Sequence, residues 1–245
     1  VMLMSGLMIF NAHPRLYWGS YGANPDRPWL VIGAQGERGF VRVGPVEVTT
    51  TGVLGRYSEP DGTLRNRAFP YWATIPSTYN LALSRRWHLL FAWLLSLSLL
   101  FYMLWSLWNR HIQRDLRISR AELAPRHLWH DIKDHARLRF PTGPAALSYN
   151  ILQKLSYVGV IFVLLPAIIL SGLTLSPGMD AAWPWLLDLF GGRQSARSVH
   201  FIAMVLLVVF FVVHMVMVLL AGPLNEVRSM ITGRYRLPKE KETGR

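Results

Sequence analysis

Three long runs of apolar residues without Asp, Glu, Lys or Arg limit what this chain can fold into. They cover residues 89–108, 158–175 and 199–222. Each holds roughly the 20 residues that a helix needs to cross a hydrocarbon layer about 30 Å thick. A soluble core does not need such runs, so the sequence predicts a multi-pass membrane protein.

The predicted fold class is an all-α membrane protein, a bundle of four transmembrane helices in a single domain, 1–245. The helices are expected at about 1–10, 83–108, 149–173 and 196–221, the third bent at Pro166. A helix over residues 1–10 is only about 15 Å long, half a bilayer, so we expect the first helix to start upstream of Val1. Residues 11–82, called here the polar segment, are expected to form a long loop. Two alternating stretches around Gly44-Pro45 predict a short hairpin within it.

Charge distribution predicts the orientation. The chain has a net charge of +12, and its basic residues lie mostly in the loops that flank the apolar runs. The 109–148 loop has eight Lys or Arg residues and the tail after Gly222 has six, whereas the 174–197 loop has two. By the positive-inside rule the 109–148 loop and both termini are cytoplasmic and the polar segment is external. Membrane lipid thus accounts for the charge, and no nucleic-acid partner is expected.

Two histidines in the last apolar run indicate a redox cofactor. His200 and His214 are fourteen residues apart, which returns to within about 40° of the same helix face after a rise of about 21 Å. Ionisable groups inside a membrane are costly and usually functional. Two haems stacked across a bilayer need axial imidazoles at this spacing. The chain has no cysteine, which excludes disulfides, iron–sulfur clusters and covalently attached haem within it.

The depth of each histidine in the membrane predicts which histidines share a haem iron. His88 lies at the outer start of the second helix and His200 at the outer start of the fourth, so they can share one haem iron. His214 lies deeper, and His111 is about 34 Å along the chain from His88, beyond the membrane. The fourth ligand is therefore expected upstream of Val1.

Arginines flank the outer ligands. Arg86 and Arg197 are the residues expected to pair with haem propionates, which suit a guanidinium. Interfacial anchoring is the simpler alternative for both, as it is for Arg85. His13 follows the first helix. A turn at the interface is the simpler expectation for it, and a role near the outer haem or the partner is the alternative.

Several short motifs give the chain a family resemblance. They are residues 3–14 (LMSGLMIFNAHP), 16–19 (LYWG), 86–88 (RWH), 149–154 (YNILQK) and 195–200 (SARSVH), together with the thirteen residues between His200 and His214. With these motifs the chain resembles the cytochrome b561-like, thiosulfate reductase cytochrome b-type membrane subunits, relatives of the formate dehydrogenase gamma subunits. That family typically has a His-Trp pair early in its first helix, and this sequence has none there.

The resemblance implies a di-haem cytochrome b in the bacterial inner membrane. It implies two haems b, a periplasmic redox partner, often a molybdopterin enzyme, and ubiquinone or menaquinone. It also implies a quinone near Asn150, Gln153 and Lys154. Amides can bond a quinone oxygen and a lysine can neutralise its negative charge. Helix capping by the amides and snorkelling by Lys154 remain an equal alternative.

Two other functions stay open at this point. One is a stand-alone b561-type oxidoreductase, for example one that exchanges electrons between superoxide and quinone. The long polar segment argues against it, since a lone haem bundle does not need such a platform. The other is a haem-free anchor or transporter, which an absorption spectrum excludes or supports.

Overall fold

The computed structural model of the chain describes residues 1–22, 26–110, 118, 124–137 and 150–232. The chain forms two compact units. The first comprises Val1–Tyr102 and Ala167–Met204, and the second comprises Met103–Pro166 and Val205–Arg245.

Most of the described residues are helical. The helices are α1 (Met2–Phe10), α2 (Leu81–Trp108), α3 (Pro125–Ala136), α4 (Ile151–Gly159), α5 (Leu165–Thr174), α6 (Pro177–Ala182), α7 (Pro184–Leu189), α8 (Arg193–Ala221) and α9 (Pro223–Thr232). A π-helical turn, Val160–Leu164, joins α4 to α5, and a 3-10 turn, Tyr71–Ala73, precedes α2.

Three segments are long and apolar enough to cross a membrane: Leu81–Trp108, Ile151–Thr174 and Arg193–Leu220. They agree with the second, third and fourth predicted spans to within a few residues. Their apolar side chains are largely exposed, as expected of helices that face lipid. The helix α1 has nine residues, so the predicted four-span bundle is not confirmed.

The irregular turn in the third span lies next to the predicted bend. Pro166 has no backbone N–H, and its ring crowds the carbonyl one turn earlier, so a regular helix is unfavourable just before it. The structure has a π-helical turn at this place, in which the Leu165 N–H donates to the carbonyl oxygen of Val160.

The prediction of an all-α protein is wrong for the polar segment, whose described residues include six strands. They are β1 (Arg15–Leu16), β2 (Leu30–Gln35), β3 (Arg38–Val43), β4 (Val46–Thr49), β5 (Gly55–Ser58) and β6 (Leu64–Arg67). The first four form an antiparallel sheet in chain order, and β5 pairs with β6. The predicted hairpin is confirmed, since Val43 pairs with Val46 around Gly44-Pro45. Antiparallel neighbours joined in chain order form a meander, in which one face of the sheet can be buried. Most of these strands are too short for the alternation of apolar and polar residues to show in the sequence, except at this hairpin.

The sheets pack on the helices of the first unit. Buried Leu16, Leu30 and Ile32 form a core with Phe10 of α1, and Phe201 of α8 packs against it. Gly55 lets the two sheets approach closely: a Cβ there would lie 2.0 Å from the Gly33 oxygen, and its φ of +78° suits glycine.

Hydrogen bonds tie the polar segment to the ends of two helices. The Asn11 side chain, just after α1, accepts from the Phe69 N–H at 2.7 Å and donates to the Phe69 oxygen at 3.0 Å. At the start of α8, the Gly19 N–H donates to Ser195 Oγ at 2.7 Å. Ser198 Oγ donates to the Tyr17 oxygen at 2.5 Å and accepts from the Trp29 indole at 2.9 Å. The polar segment is therefore attached to the helix that carries His200.

Candidate haem site

The first unit brings together two of the three predicted ligands. His88 lies about two turns after the start of α2 and His200 about two turns after the start of α8. Their ring centroids are 6.2 Å apart with an interplanar angle of 62°. A metal–imidazole bond is about 2 Å and the ring adds about 1 Å on each side, so two axial imidazoles of one iron have centroids about 6 Å apart. The separation therefore fits a shared iron.

His88 is held from α1. Its Nδ1 lies 3.1 Å from the Met2 carbonyl oxygen and 3.3 Å from Ser5 Oγ. Gly6 is next to the imidazole: a Cβ on this glycine would lie 3.2 Å from His88 Cε1. The ring thus rests directly on the backbone of α1.

His200 is held in the same way from α5. Its Nδ1 lies 3.0 Å from the Ile168 carbonyl oxygen and 3.2 Å from Ser171 Oγ. A Cβ on Gly172 would lie 3.1 Å from His200 Cε1. Each ligand thus meets a carbonyl, a serine and a glycine at the same relative positions of a neighbouring helix.

These contacts fix which ring nitrogen is available. A carbonyl oxygen can only accept, so Nδ1 of each histidine carries a proton, and in the neutral imidazole Nε2 then has a lone pair. Within the described residues, all hydrogen bonds of His88 and His200 are made by Nδ1. Two neutral imidazoles with unprotonated Nε2 atoms are the donor set that a haem iron takes.

The two predicted propionate arginines have different surroundings. Arg197 is half-buried one turn before His200, and its guanidinium donates to His13 Nδ1 at 2.7 Å and to the His13 carbonyl oxygen. Burial, followed by the positive charges of Arg197 and Arg15, lowers the pKa of His13. A neutral His13 can therefore accept this hydrogen bond. Arg86 is exposed.

His214 lies in the second unit among aromatic rings. The Phe210 ring stacks on it at 5.6 Å between centroids, and the Tyr157 ring meets it edge-on at 6.4 Å. Among the side chains that the structure describes, none from a second histidine contacts its ring, and His111 lies outside the described residues. The predicted ligand upstream of Val1 lies outside this sequence and stays a prediction.

The amides predicted to bind quinone form the N-terminal cap of α4. Asn150 Oδ1 accepts from the Gln153 N–H at 2.9 Å, and Gln153 Oε1 accepts from the Asn150 N–H at 3.2 Å. This capping box is the structural role that the sequence offered as the alternative. Each amide also carries an NH2 group, so capping does not exclude a quinone contact.

Comparisons with known proteins place the chain in a family. The family model described as prokaryotic cytochrome b561 matches residues 1–233. The chain belongs to the prokaryotic cytochrome b561 family. It is also 35% identical, over 141 residues, to a "putative protein-methionine-sulfoxide reductase subunit YedZ1" from Azospira oryzae. That match covers 55% of this chain and 64% of the relative. No solved structure matches.

Membership of the cytochrome b561 family confirms the resemblance read from the sequence. The chain is a b561-type haem protein of the membrane, and its family binds haem b and transfers electrons. The paired imidazoles of α2 and α8 fit that cofactor without any further metal ligand. When bound, haem b would supply one-electron redox chemistry, and His88 and His200 would hold it.

Sequence reasoning missed the serines and glycines that hold the imidazoles in this b561-type protein. Residues 4–7 (MSGL) and 170–173 (LSGL) repeat Ser-Gly-Leu in two apolar helices. A repeat of three residues carries little weight alone, and only the structure shows that each copy faces a histidine. The serines of the SARSVH motif, which hold the polar segment, were likewise unassigned.

Proposed function

We propose that this chain is a di-haem cytochrome b subunit that carries electrons between an external redox protein and the membrane quinone pool. The observation that supports it most is the His88–His200 pair, with both Nδ1 atoms bonded and ring centroids 6.2 Å apart. In this proposal His88 and His200 hold an outer haem. His214 and a fourth ligand hold an inner one.

The outer site needs groups for the propionates as well as for iron. Arg197 lies three residues before His200, on the same helix face, and already bonds His13 at 2.7 Å. We assign it to a propionate of the outer haem, with His13 holding its guanidinium in position. We assign Arg86, two residues before His88, to the other propionate. Arg86 is exposed, so its guanidinium is held less firmly than that of Arg197.

The inner site is proposed to pass electrons to ubiquinone or menaquinone. Asn150 and Gln153 cap α4, and Lys154 follows them on the same turn. In the second unit Tyr157, one turn after Gln153, contacts the His214 ring. This contact connects the cap to the proposed ligand through a single helical turn. The amide NH2 groups would donate to a quinone oxygen, and Lys154 would stabilise its negative charge.

The partner is proposed to be a periplasmic oxidoreductase that docks on the polar segment. The relative from Azospira oryzae is named as a reductase subunit, which favours a role in a complex over the stand-alone superoxide:quinone alternative. By that name a protein-methionine-sulfoxide reductase is one class of partner. A molybdopterin enzyme is the class expected from the sequence resemblance. Co-purification identifies the partner. Metal analysis of it then tests for a molybdenum cofactor, and an assay of methionine-sulfoxide reduction tests its substrate, so each class has its own readout. Full activity of the chain alone favours the stand-alone enzyme.

A reduced-minus-oxidised spectrum tests the haem assignment. The purified protein should show a b-type α-band, and a haem assay should give two haems per chain. His200→Ala should remove one haem and leave the other, because each iron depends on both of its axial imidazoles. His130→Ala, a histidine outside the proposed sites, is the matched control. A protein without an α-band refutes both the haem and the electron-transfer proposals.

The quinone proposal is tested at the α4 cap. Asn150→Asp keeps an oxygen that can cap the helix but removes the NH2 donor, whereas Asn150→Ala removes both. We expect both variants to slow quinone-linked haem oxidation by about tenfold, the loss expected for one hydrogen bond to a charge-bearing oxygen. Gln153→Ala is expected to act in the same direction. If Asn150→Asp keeps full turnover with haem intact, the amide serves the helix alone.

A further inference from the structure

Two copies of Ser-Gly-Leu lie against the two imidazoles of one site. We infer that Ser5-Gly6 and Ser171-Gly172 form a duplicated clamp that orients the axial ligands His88 and His200 and lowers the midpoint potential of the haem they hold. This inference rests on the proposed function, and it adds two pairs of positioning residues that do not touch iron.

The hydroxyl hydrogens show how each clamp works. Ser5 Oγ donates to the Met2 oxygen at 3.0 Å, and Ser171 Oγ donates to the Ala167 oxygen at 2.6 Å. Because each hydroxyl proton is already used, its oxygen can only accept from the histidine. The Nδ1 proton is therefore shared between the serine oxygen, at 3.2–3.3 Å, and a backbone carbonyl, at 3.0–3.1 Å.

Two acceptors on one Nδ1 proton change the ligand electronically. They draw the proton away from the ring and raise the basicity of Nε2. A more basic Nε2 donates more strongly to iron and favours the oxidised, more positive state. Both serines are fully buried, so water does not replace the bond when the hydroxyl is removed. Each serine thus lowers the potential of the same haem.

The glycines bring the imidazole close enough for these bonds. A Cβ on Gly6 or Gly172 would lie 3.1–3.2 Å from the Cε1 atom of its histidine, tighter than an ordinary contact. The serine one residue earlier and the carbonyl three residues before that serine then reach Nδ1. A side chain at either glycine pushes the ring away from both acceptors. The two helices supply the same three elements, so the site has an approximate internal symmetry.

No such clamp contacts His214 in the part of the chain that the structure describes. Its described neighbours are the rings of Phe210 and Tyr157, and no hydrogen bond to its imidazole occurs within the described residues. The serines should therefore act on one haem alone.

Redox titration of the haem α-bands in the intact protein tests the inference. The variants are Ser5→Ala, Ser171→Ala and the double variant, with Ser5→Cys and Ser171→Cys as same-size replacements that keep a weak acceptor. Ser96→Ala is the matched control, because Ser96 Oγ donates to the Ala92 oxygen at 2.8 Å in α2 and contacts no histidine. Low-spin electron paramagnetic resonance spectra report the orientation of the two imidazole planes.

We expect each Ala variant to raise the midpoint potential of one haem, the Cys variants to raise it less, and the double variant to add the two shifts. Loss of that haem in an Ala variant, with the haem kept in the Cys variant, also supports the clamp. Haem retained with a potential and resonance spectrum equal to those of Ser96→Ala overturns it. A wild-type protein that binds no haem b contradicts the proposed function instead.

Discussion

At the scale of single residues, Arg197 links the proposed haem site to the polar segment. It lies one turn before His200, its guanidinium carbon is 5.7 Å from the Phe10 ring centroid, and it bonds both the side chain and the backbone of His13. A charged group in this position needs partners on every side, because burial is costly for an ion. His13 provides one of them only while its imidazole is neutral.

This dependence predicts a pH effect. The pKa of His13 is lowered from 6.5 by burial and by the charges of Arg197 and Arg15, so the folded protein binds a proton there less readily than the unfolded chain. The stability that His13 contributes is present above pH 6.5 and is lost as the pH falls from there through its lower folded pKa.

The measurement is thermal unfolding in detergent at about pH 7.5 and about pH 5.5, on either side of the ordinary pKa of histidine. We expect wild type to lose more stability over this interval than His13→Asn, whose amide oxygen can accept from Arg197 without titrating. Equal losses in the two proteins contradict the prediction. Other titrating groups contribute equally to both and cancel in the comparison.

Sequence reasoning at the level of residues brought His88 and His200 together as proposed ligands, but it did not show what holds them. Depth along two helices was enough to pair His88 with His200, because helix rise is regular. Nothing in spacing shows that the Met2 carbonyl faces one imidazole and the Ile168 carbonyl the other, since each contact joins helices far apart in the chain. For the same reason Arg197 had no visible partner until His13 was placed beside it.

At the scale of elements, the first turns of α8 serve two purposes. Ser195, Arg197 and Ser198 bond the polar segment, whereas His200 contacts His88 and α5. Residues three apart share a helix face, which explains how four polar side chains fit between apolar neighbours. The position of the external strands is thereby coupled to the helix that carries a ligand.

Ser198→Ala tests this attachment. The serine is fully buried, and its loss leaves the Trp29 indole N–H and the Tyr17 carbonyl without their partner. We expect a cost of about 1–3 kcal/mol in the free energy of unfolding, the usual penalty for buried polar groups left unsatisfied. Chemical denaturation followed by Trp fluorescence measures it. Ser96→Ala, which removes only a bond within its own helix, should change stability by less.

Limited proteolysis adds a second readout. If Ser198 holds the polar segment, cleavage within residues 11–79 should be faster in Ser198→Ala than in the control. Unchanged cleavage together with unchanged stability shows that other contacts, such as the Asn11 bonds to Phe69, carry the attachment.

The sequence predicted the long helices better than the strands. The three long apolar helices were found within a few residues, because about 20 apolar residues in a row have few alternatives. The strands were not, apart from the hairpin at Gly44-Pro45. Strands of two to six residues give too little alternation, and the pairing of β1 with β2 joins residues across an intervening loop. The polar segment was therefore predicted as a loop with one hairpin.

At the scale of the whole molecule, charge predicts an orientation that can be measured directly. The chain has no cysteine, so single cysteines can be introduced as unique labels. Ser58, Asp188 and Arg126 are exposed and lie in the polar segment, the 174–197 loop and the 109–148 loop. With three spans between Leu81 and Leu220, the first two labels should lie on one side of the membrane and the third on the other.

We expect a membrane-impermeant maleimide to label Ser58→Cys and Asp188→Cys in intact spheroplasts, and to label Arg126→Cys only after the membrane is opened. The physical reason is the excess of Lys and Arg in the 109–148 loop and the tail, which holds those regions on the cytoplasmic side. A permeant maleimide on the same variants controls for reactivity. If Arg126→Cys is labelled in intact spheroplasts and Ser58→Cys is not, the orientation is the opposite of the predicted one. It would move the His88–His200 site to the cytoplasmic side, away from any periplasmic partner.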